Sequence, residues 1–171
     1  MAERPRPQDH SPEAESALDE RAQVLQAHVL RLFQDIQPEA GATFDIPELL
    51  VKPENIVDVC RTLKEEPDLS FNLLLCLAGV DYEEYFQFVY VLLSLEHEQK
   101  LVIKTNVPLD NPRLPTVAPV WRAASWYERE AHDLFGVEFE GNPDMSPLLL
   151  YEGFEGYPGR RSHPFHDYQE F

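Results

Sequence analysis

Positive charge and glycine-rich loops are scarce in this sequence, and each shortage removes a class of function. Lys and Arg number 14 against 31 Asp and Glu, so the formal net charge is −17 at pH 7. A charge of this size repels phosphate groups, which argues against nucleic acid or lipid headgroups as direct ligands and is compatible with a basic protein partner. Neither G-x-x-x-x-G-K nor G-x-G-x-x-G occurs, so no nucleotide-phosphate loop is indicated.

Cysteines and long apolar runs are also few. Cys60 and Cys76 form no C-x-x-C pair, and we expect both to be small buried hydrophobic residues rather than a disulfide or a metal pair. No apolar run approaches the ~20 residues of a membrane-spanning helix, and the first residues lack the basic and apolar regions of a signal peptide. We therefore expect a soluble, cytosolic chain.

The composition fits one globular domain with irregular ends. A chain of 171 residues, 43% of them hydrophobic, is long enough to bury a sizeable core. Its 15 prolines, about twice the average share, predict long irregular stretches. We predict a flexible N-terminal segment at residues 1–13, a folded domain at 14–141 and an extended C-terminal docking arm at 142–171.

Two stretches in the first third have helical periodicity. Apolar residues recur every three or four positions from Ala14 to the residue before Pro38, and Pro53 suits the first turn of a second helix that ends before Pro67. Between the helices, Gly41–Ile46 reads as a short strand that Pro47 interrupts. The predicted buried lines are Leu18, Ala22, Leu25, Val29, Leu32, Phe33 and Ile36 in the first helix, and Ile56, Cys60 and Leu63 in the second.

The middle third predicts a sheet. Phe71–Val80 is almost continuously apolar, which is typical of a central strand covered on both faces. Short polar turns separate it from strands at Tyr85–Leu95 and Leu101–Val107, which gives an antiparallel meander. The predicted fold class is α+β: a two-layer domain with helices on one face of a largely antiparallel mixed sheet, followed by an extended irregular C-terminal arm.

The most specific stretch is Trp126–Gly141, WYEREAHDLFGVEFEG. Ser125 and Glu128 have the spacing of a capping box, which predicts a helix start, and Gly136 supplies a left-handed helix end. Arg129 and Asp133 stand four positions apart, so they can pair across one helical turn.

Four polar residues of this helix are candidates for acid–base chemistry: Glu128, Glu130, His132 and Asp133. Glu128 and His132 share one face and can pair as carboxylate and imidazole, as a small hydrolase would require. No serine elbow and no glycine-rich oxyanion loop accompanies them, so a structural helix network is the favoured interpretation.

A metal site has little support. It would use His132 with Asp133, or His163 and His166 with Asp167. Pro164 lies between the two later histidines and removes the helical geometry in which residues three apart share a metal.

The chain after Gly141 is broken by glycine and proline, yet it carries the aromatic residues Phe154, Tyr157, Phe165, Tyr168 and Phe171. Such side chains need another surface to pack against, either the domain's own or a partner's. Arg160 and Arg161 lie among them, and arginines between aromatic residues suit bidentate contacts at an interface. We interpret this stretch as an interaction arm.

The run Glu128–Val137, followed by Phe139, Glu140 and Gly141, resembles the signature of the 30 kDa subunit family of complex I, the respiratory NADH-quinone oxidoreductase. In bacterial complexes the member of this family is the C subunit. Asn111–Val117 and Glu155–Arg161 are similar to the segments that flank the signature in the family. The chain departs from the family pattern at Asn142, where a histidine is usual, and at Ser146 and Pro147, where a basic pair is usual.

The resemblance implies a non-catalytic scaffold subunit in the peripheral arm of a proton-pumping complex at the cytoplasmic face of the inner membrane. It implies a hetero-oligomer with the large D subunit and subunits B and I as partners, bound to the membrane only through the complex. Flavin, iron–sulfur clusters and quinone are expected in other subunits, and no cofactor in this chain. The expected partner-binding residues are Glu128, Arg129, Glu130, Asp133, Phe135, Tyr157, Arg160, Arg161 and Phe165.

Two alternatives stay open at this stage. Relatives of the 30 kDa family occur in membrane-bound hydrogenases and F420 dehydrogenases, so the host complex can be one of these. The alternative from another class is the small hydrolase built on Glu128 and His132.

Overall fold

A computed structural model describes residues 18–164. The predicted segment 1–13 and Phe165 lie outside these residues. The elements in chain order are α1 (Glu20–Leu32), β1 (Glu39–Thr43), β2 (Ile46–Leu50), α2 (Ile56–Glu65), β3 (Leu73–Asp81), β4 (Tyr85–Ser94), β5 (Gln99–Pro108), β6 (Arg113–Pro115), α3 (Ala124–Phe135) and β7 (Glu138–Glu140).

The main sheet has five strands in the order β1-β2-β5-β4-β3. Only β2 and β5 run parallel within it, so the largely antiparallel mixed sheet is confirmed, as is the meander β3–β4–β5. Residues of the helices and of one sheet face form a single buried core, which includes Val29 of α1, Leu63 of α2, Ala131 of α3 and Phe88 of β4. The two-layer α+β class follows directly from this arrangement.

The first two helices begin and end where local chemistry dictates. Asp19 caps α1 by accepting a hydrogen bond from the N–H of Ala22 at 2.7 Å, so α1 starts at Glu20; the predicted start at Ala14 lies outside the described residues. It ends at Leu32, and Ile36, the last residue of the predicted apolar stripe, follows the helix. Pro53 opens a single 3₁₀ turn that leads into α2, as its fixed φ predicts.

The single strand predicted at Gly41–Ile46 is wrong, because a hairpin occupies this region. β1 and β2 pair antiparallel around a turn at Phe44, whose φ is +56° and whose side chain is 80% exposed. Pro47 lies within β2 instead of ending it. The ladder between β2 and β5 begins only at Glu48, so the missing N–H of Pro47 costs no hydrogen bond there.

β3 is an edge strand, whereas its apolar run predicted a central strand covered on both faces. Leu74 and Leu77 face the core, and a bulge between Leu74 and Cys76 leaves Leu75 without a partner in the ladder. Cys60 is buried as expected, but Cys76 is only half-buried. Apolar composition alone does not tell a strand covered by its own chain from one whose second face is left uncovered.

Gly79 is a point where β3, β4 and α3 come too close for a larger residue. A Cβ atom there would lie 3.1 Å from the ring of Phe135 and 3.2 Å from the ring of Phe88. We predict that Gly79→Val lowers the free energy of unfolding by about 1–3 kcal/mol through overpacking. The matched control is Ala78→Val on the exposed opposite face, for which we expect a change within about 0.5 kcal/mol. Urea unfolding of both variants measures the difference, and equal midpoints would contradict this packing.

Candidate functional site

α3 starts without the predicted capping box. Ala123 precedes the helix in helical conformation and no side chain caps it. The first N–H groups of α3 are satisfied by the preceding turn instead, since Ala124 donates to the carbonyl of Trp121 and Trp126 to that of Ala123. Glu128 is therefore not needed at the helix start, and its side chain turns into the protein.

Glu128 is fully buried and joins three segments. Its Oε2 accepts hydrogen bonds from the Thr116 hydroxyl at 2.6 Å and from Asn142 Nδ2 at 2.8 Å, and its Oε1 accepts from the N–H of Val117 at 2.8 Å. Burial raises the pKa of Glu128, and the hydrogen bonds from Thr116, Val117 and Asn142 offset part of that rise. The carboxylate thus connects the loop before α3, the helix and the start of the C-terminal segment, defined here as residues 142–164.

The candidate pair of Glu128 and His132, on which the hydrolase alternative depends, does not form. The Nδ1 atom of His132 lies 2.9 Å from the carbonyl oxygen of Val137, so the imidazole bonds to the strand start after α3. Among the described residues the Glu128 carboxylate accepts from Thr116, Val117 and Asn142 and makes no hydrogen bond with that imidazole. Within residues 18–164, no three His, Cys, Asp or Glu side chains converge as metal ligands, and His166 and Asp167 lie outside this range.

Arg129 bonds to the C-terminal segment and not, as predicted, to Asp133. Its guanidinium donates to the carbonyl and hydroxyl oxygens of Ser146 at 3.1 and 3.0 Å and to the carbonyl of Pro147 at 3.1 Å. An ion pair with Asp144 at 3.3 Å completes the set. Four acceptors on residues 144–147 outcompete a single surface ion pair across one helical turn, which is worth only about 0.3–0.5 kcal/mol.

Asp133 holds the same segment a few residues later. Its Oδ2 accepts three successive backbone N–H groups, from Leu148 at 3.1 Å and from Leu149 and Leu150 at 2.8 Å each. Burial by itself would raise the pKa of Asp133, but the three N–H groups and the charge of His132 lower it below its ordinary value of 3.8. One carboxylate oxygen therefore orders a whole turn of irregular chain.

The segment returns to the domain at the end of α3. The N–H of Gly159 donates to the carbonyl of Leu134 at 2.9 Å, and Arg160 Nε donates to that of Phe135 at 2.7 Å. These are two of the last carbonyls of a helix, which lack intrahelical partners. The Arg160 guanidinium also lies over the rings of Tyr157 and Phe86, with centroids 4.6 and 5.2 Å away.

Arg161 makes the last of these attachments. Its N–H donates to Asp81 Oδ2 at 2.9 Å, and its guanidinium pairs with Glu83 at 2.9 Å. Residues 142–164 are irregular, as predicted, but they lie along their own domain instead of extending away from it. Three charged side chains of α3 are the physical reason, because Glu128, Arg129 and Asp133 each satisfy polar groups of the segment.

The residues expected to bind a partner occupy different environments. Two of them, Glu128 and Asp133, are buried, and four are half-buried: Arg129, Glu130, Phe135 and Arg160. Tyr157 and Arg161 are exposed, and Phe165 lies outside the described residues.

Sequence reasoning missed Thr116 and Asn142, which contact Glu128 from 12 and 14 positions away. No helical or strand spacing links such distant positions; the family pattern is the one signal, since Asn142 departs from it and Thr116 lies in the similar run Asn111–Val117.

Several apolar side chains on α3 and the C-terminal segment remain exposed. Trp126 is 60% exposed with the Arg129 guanidinium 5.2 Å from its ring centroid, and Tyr151 is 72% exposed. Leu149 and Tyr157 are exposed as well. We call these four residues the exposed apolar set. Exposed aromatic residues beside a held arginine are typical of protein–protein contacts.

Comparison with known proteins gives consistent results. Residues 49–169 match the family model for the respiratory-chain NADH dehydrogenase, 30 Kd subunit. The chain is 41% identical to the second C subunit of the NADH-quinone oxidoreductase of Rhizobium etli, an alignment that covers 84% of this chain and 78% of that protein. It is 44% identical to the corresponding protein of Rhizobium meliloti, with 76% and 72% covered.

Two solved structures are similar as well. A chain of the membrane-bound sulfane sulfur reductase, an archaeal respiratory membrane complex, superposes with a TM-score of 0.71 at 32% identity over 82% of this chain and 84% of that chain. The trypsin-resistant fragment of Nqo5 superposes with a TM-score of 0.60 at 29% identity, covering 69% and 97%. Across residues 18–164, no helix has the length and apolar content to cross a membrane.

Replacing the Asp133 carboxylate should loosen the C-terminal segment while the domain stays folded. In Asp133→Asn the three N–H groups of Leu148, Leu149 and Leu150 lose a charged acceptor, so we predict hydrogen exchange at these amides to be faster by about tenfold or more. Glu130→Gln, which removes the same charge elsewhere on α3, is the control and should exchange like the wild type. Equal exchange in both variants would show that the carboxylate does not hold the segment.

Glu128 should give stability a characteristic dependence on pH. Because its pKa is raised above the ordinary 4.5, the folded protein keeps a proton over a range where the unfolded chain releases it. Its contribution is complete below 4.5 and is lost as the pH rises through the raised value. We predict that the stability advantage of the wild type over Glu128→Gln shrinks as the pH rises above 4.5. Denaturant unfolding across this range tests the sign, and an advantage that grows with pH contradicts it.

Proposed function

Since the chain belongs to the family of the respiratory-chain NADH dehydrogenase 30 kDa subunit, we propose that it is a non-catalytic scaffold subunit in the peripheral arm of a proton-pumping NADH-quinone oxidoreductase. The family match over residues 49–169 and the identities of 41% and 44% confirm the resemblance to the 30 kDa subunit family of complex I. Its homologues are subunits of a larger enzyme assembly, which makes this chain part of a hetero-oligomer.

The observation that carries the scaffold role is how three ionisable residues of α3 are used. Glu128, Arg129 and Asp133 each direct their hydrogen bonds to another segment of their own chain. A cluster that would otherwise resemble a catalytic site is occupied in holding the C-terminal segment against the helix. As a result, the C-terminal segment is held against α3 in a position that leaves aromatic residues exposed.

The exposed apolar set suits a neighbouring protein surface. Trp126 and Tyr151 offer large apolar areas with a polar end, the residue types that dominate binding energy at interfaces. The net charge of −17 favours a basic partner surface around them. In our proposal this partner is the large D subunit, with subunits B and I nearby, and the chain reaches the cytoplasmic face of the inner membrane only through them.

Electron transfer in this account belongs to the complex. Flavin, iron–sulfur clusters and quinone would bind in other subunits, and this chain would keep those subunits in register. The hydrolase alternative loses its support, because Glu128 and His132 do not form the pair on which it depended.

One observation favours a second candidate for the host complex. The similarity to a chain of the membrane-bound sulfane sulfur reductase has the higher TM-score of the two superpositions described above. The chain can therefore be the equivalent subunit of a related membrane-bound complex, such as a hydrogenase or an F420 dehydrogenase. Mass spectrometry of the native complex decides this: NADH-binding subunits identify complex I, a nickel–iron large subunit identifies a hydrogenase, and an F420-binding subunit identifies an F420 dehydrogenase.

Arg129 provides the sharpest test of the scaffold proposal. We predict that Arg129→Ala releases residues 144–147 and lowers recovery of the large subunit with the tagged chain by about tenfold, because the exposed aromatic residues beside Arg129 and on the segment are then no longer held in place. The control is Arg113→Ala, which breaks ion pairs with Glu138 and Glu140 away from the C-terminal segment. It should assemble normally.

A truncated chain complements the substitution. Ending the chain at Asn142 keeps the hydrogen bond to Glu128 but removes the remainder of the C-terminal segment. We expect a cooperative unfolding transition in the isolated chain together with loss of assembly. Stoichiometric recovery of the large subunit with this truncated chain would refute the proposed role of the segment.

A further inference from the structure

Arg160 is one of two half-buried arginines within residues 18–164, and it is the one without an acidic partner there. The other, Arg129, pairs with Asp144 at 3.3 Å. Arg160 donates from Nε to the carbonyl of Phe135, and its two terminal NH₂ groups donate to no residue that the structure describes. In a chain with 31 acidic side chains against 14 Lys and Arg, a half-buried cation without a carboxylate needs an explanation.

The Arg160 guanidinium is held in a fixed orientation. Its Nε bonds to the end of α3, and its central carbon lies over the rings of Tyr157 and Phe86. A planar guanidinium fixed in this way presents its remaining N–H groups as a fork, which matches the two oxygens of a carboxylate. Arg160 is therefore preorganised for an acidic ligand.

A cleft of about 320 Å³ opens beside this guanidinium, and its lining includes Arg161, Asp81 and Glu83. Both acids bond to other groups. Glu83 pairs with the Arg161 side chain at 2.9 Å. The two oxygens of Asp81 accept the N–H groups of Glu83 and Arg161 at 2.8 and 2.9 Å. Among the described residues, the cleft thus offers the Arg160 fork space but no acceptor.

The place of Arg160 beside Tyr157 indicates where an acceptor comes from. Tyr157 belongs to the exposed apolar set, which the proposed function assigns to the surface of a neighbouring subunit. A subunit that covers Tyr157 also removes water from the guanidinium that lies over it. A guanidinium that loses water without gaining a carboxylate disfavours association strongly. The covering surface must therefore carry an acidic side chain at this point.

We propose that the Arg160 fork binds the carboxylate of an Asp or Glu side chain on the subunit that covers Tyr157. The inference rests on the proposed function for the existence of that subunit, and it adds the chemistry of one contact. The partner surface is then basic overall, to match the net charge of −17, but presents one acid opposite Arg160. A single pair of reversed sign fixes the register of two surfaces whose other charges attract over a longer range.

Two other sources of a carboxylate make different predictions. A free anion is repelled by the net charge of −17 and by the two acids of the cleft itself. Residues 165–171 include Asp167 and Glu170, and a pair with either would form in the isolated chain as well. A crosslink made from position 160 separates these acids of the same chain from an acid of another subunit.

Carbodiimide crosslinking of the native complex tests the proposal. Arg160→Lys keeps the positive charge and supplies an amine, which carbodiimide joins without a spacer to a carboxylate in direct contact. We expect mass spectrometry to find this amine joined to an Asp or Glu of another subunit. The control is Arg113→Lys, whose amine should link to Glu138 or Glu140 of its own chain. Links from position 160 only to acids of the same chain, or no link where the control links, overturn the proposal.

Recovery of other subunits with the tagged full-length chain measures what the pair contributes. We expect Arg160→Gln to lower recovery about tenfold, because the partner's acid then loses its cation on burial. Arg113→Gln, which loses exposed ion pairs, is the matched control and should assemble normally. Reduced recovery supports the pair where the Gly159 amide, which donates to Leu134, stays protected from hydrogen exchange; otherwise the crosslink decides. If the wild-type chain recovers no other subunit, the proposed function itself fails, whereas normal assembly of Arg160→Gln overturns only the carboxylate site.

Discussion

The burial of the Glu128 carboxylate is the constraint on which the rest of this structure depends. A buried carboxylate without partners costs several kcal/mol, so the chain must bring donors to it from elsewhere. Thr116 and Val117 supply two of them from the loop before α3, and Asn142 supplies the third from beyond β7. Satisfying this one group fixes where the chain enters α3 and where it leaves the domain.

The path of the C-terminal segment follows from that exit point. Once Asn142 is fixed, Arg129 and Asp133 lie within reach of residues 144–150, and each satisfies several polar groups of otherwise irregular chain. Arg160 then uses the carbonyl of Phe135 at the end of α3. Taken alone, the polar side chains of α3 resemble a catalytic cluster. In the folded chain they hold a segment that cannot form a hydrophobic core of its own.

Much of the fold is predictable from the sequence because local patterns determine it. Three of these patterns act within a few residues of their own position: the alternation of buried and half-buried residues in β4, the proline that opens the turn into α2, and the glycine that ends α3. The prediction for β3 fails because an apolar residue gives no indication of whether its own chain or another protein covers it. The predicted partners of Glu128, Arg129 and Asp133 are wrong because helical spacing suggested neighbours four residues apart, whereas more numerous acceptors and donors come from distant loops.

The central claim is that α3 holds the C-terminal segment ready and that a neighbouring subunit then covers its exposed aromatic residues. Oxidative footprinting of Trp126, Tyr151 and Tyr157 in the isolated chain and in the native complex tests it, alongside hydrogen exchange at Leu148–Leu150. The account predicts protected amides in both states and aromatic side chains that are labelled only in the isolated chain. Amides that exchange freely in the isolated chain, or aromatic residues labelled equally in both states, would contradict it.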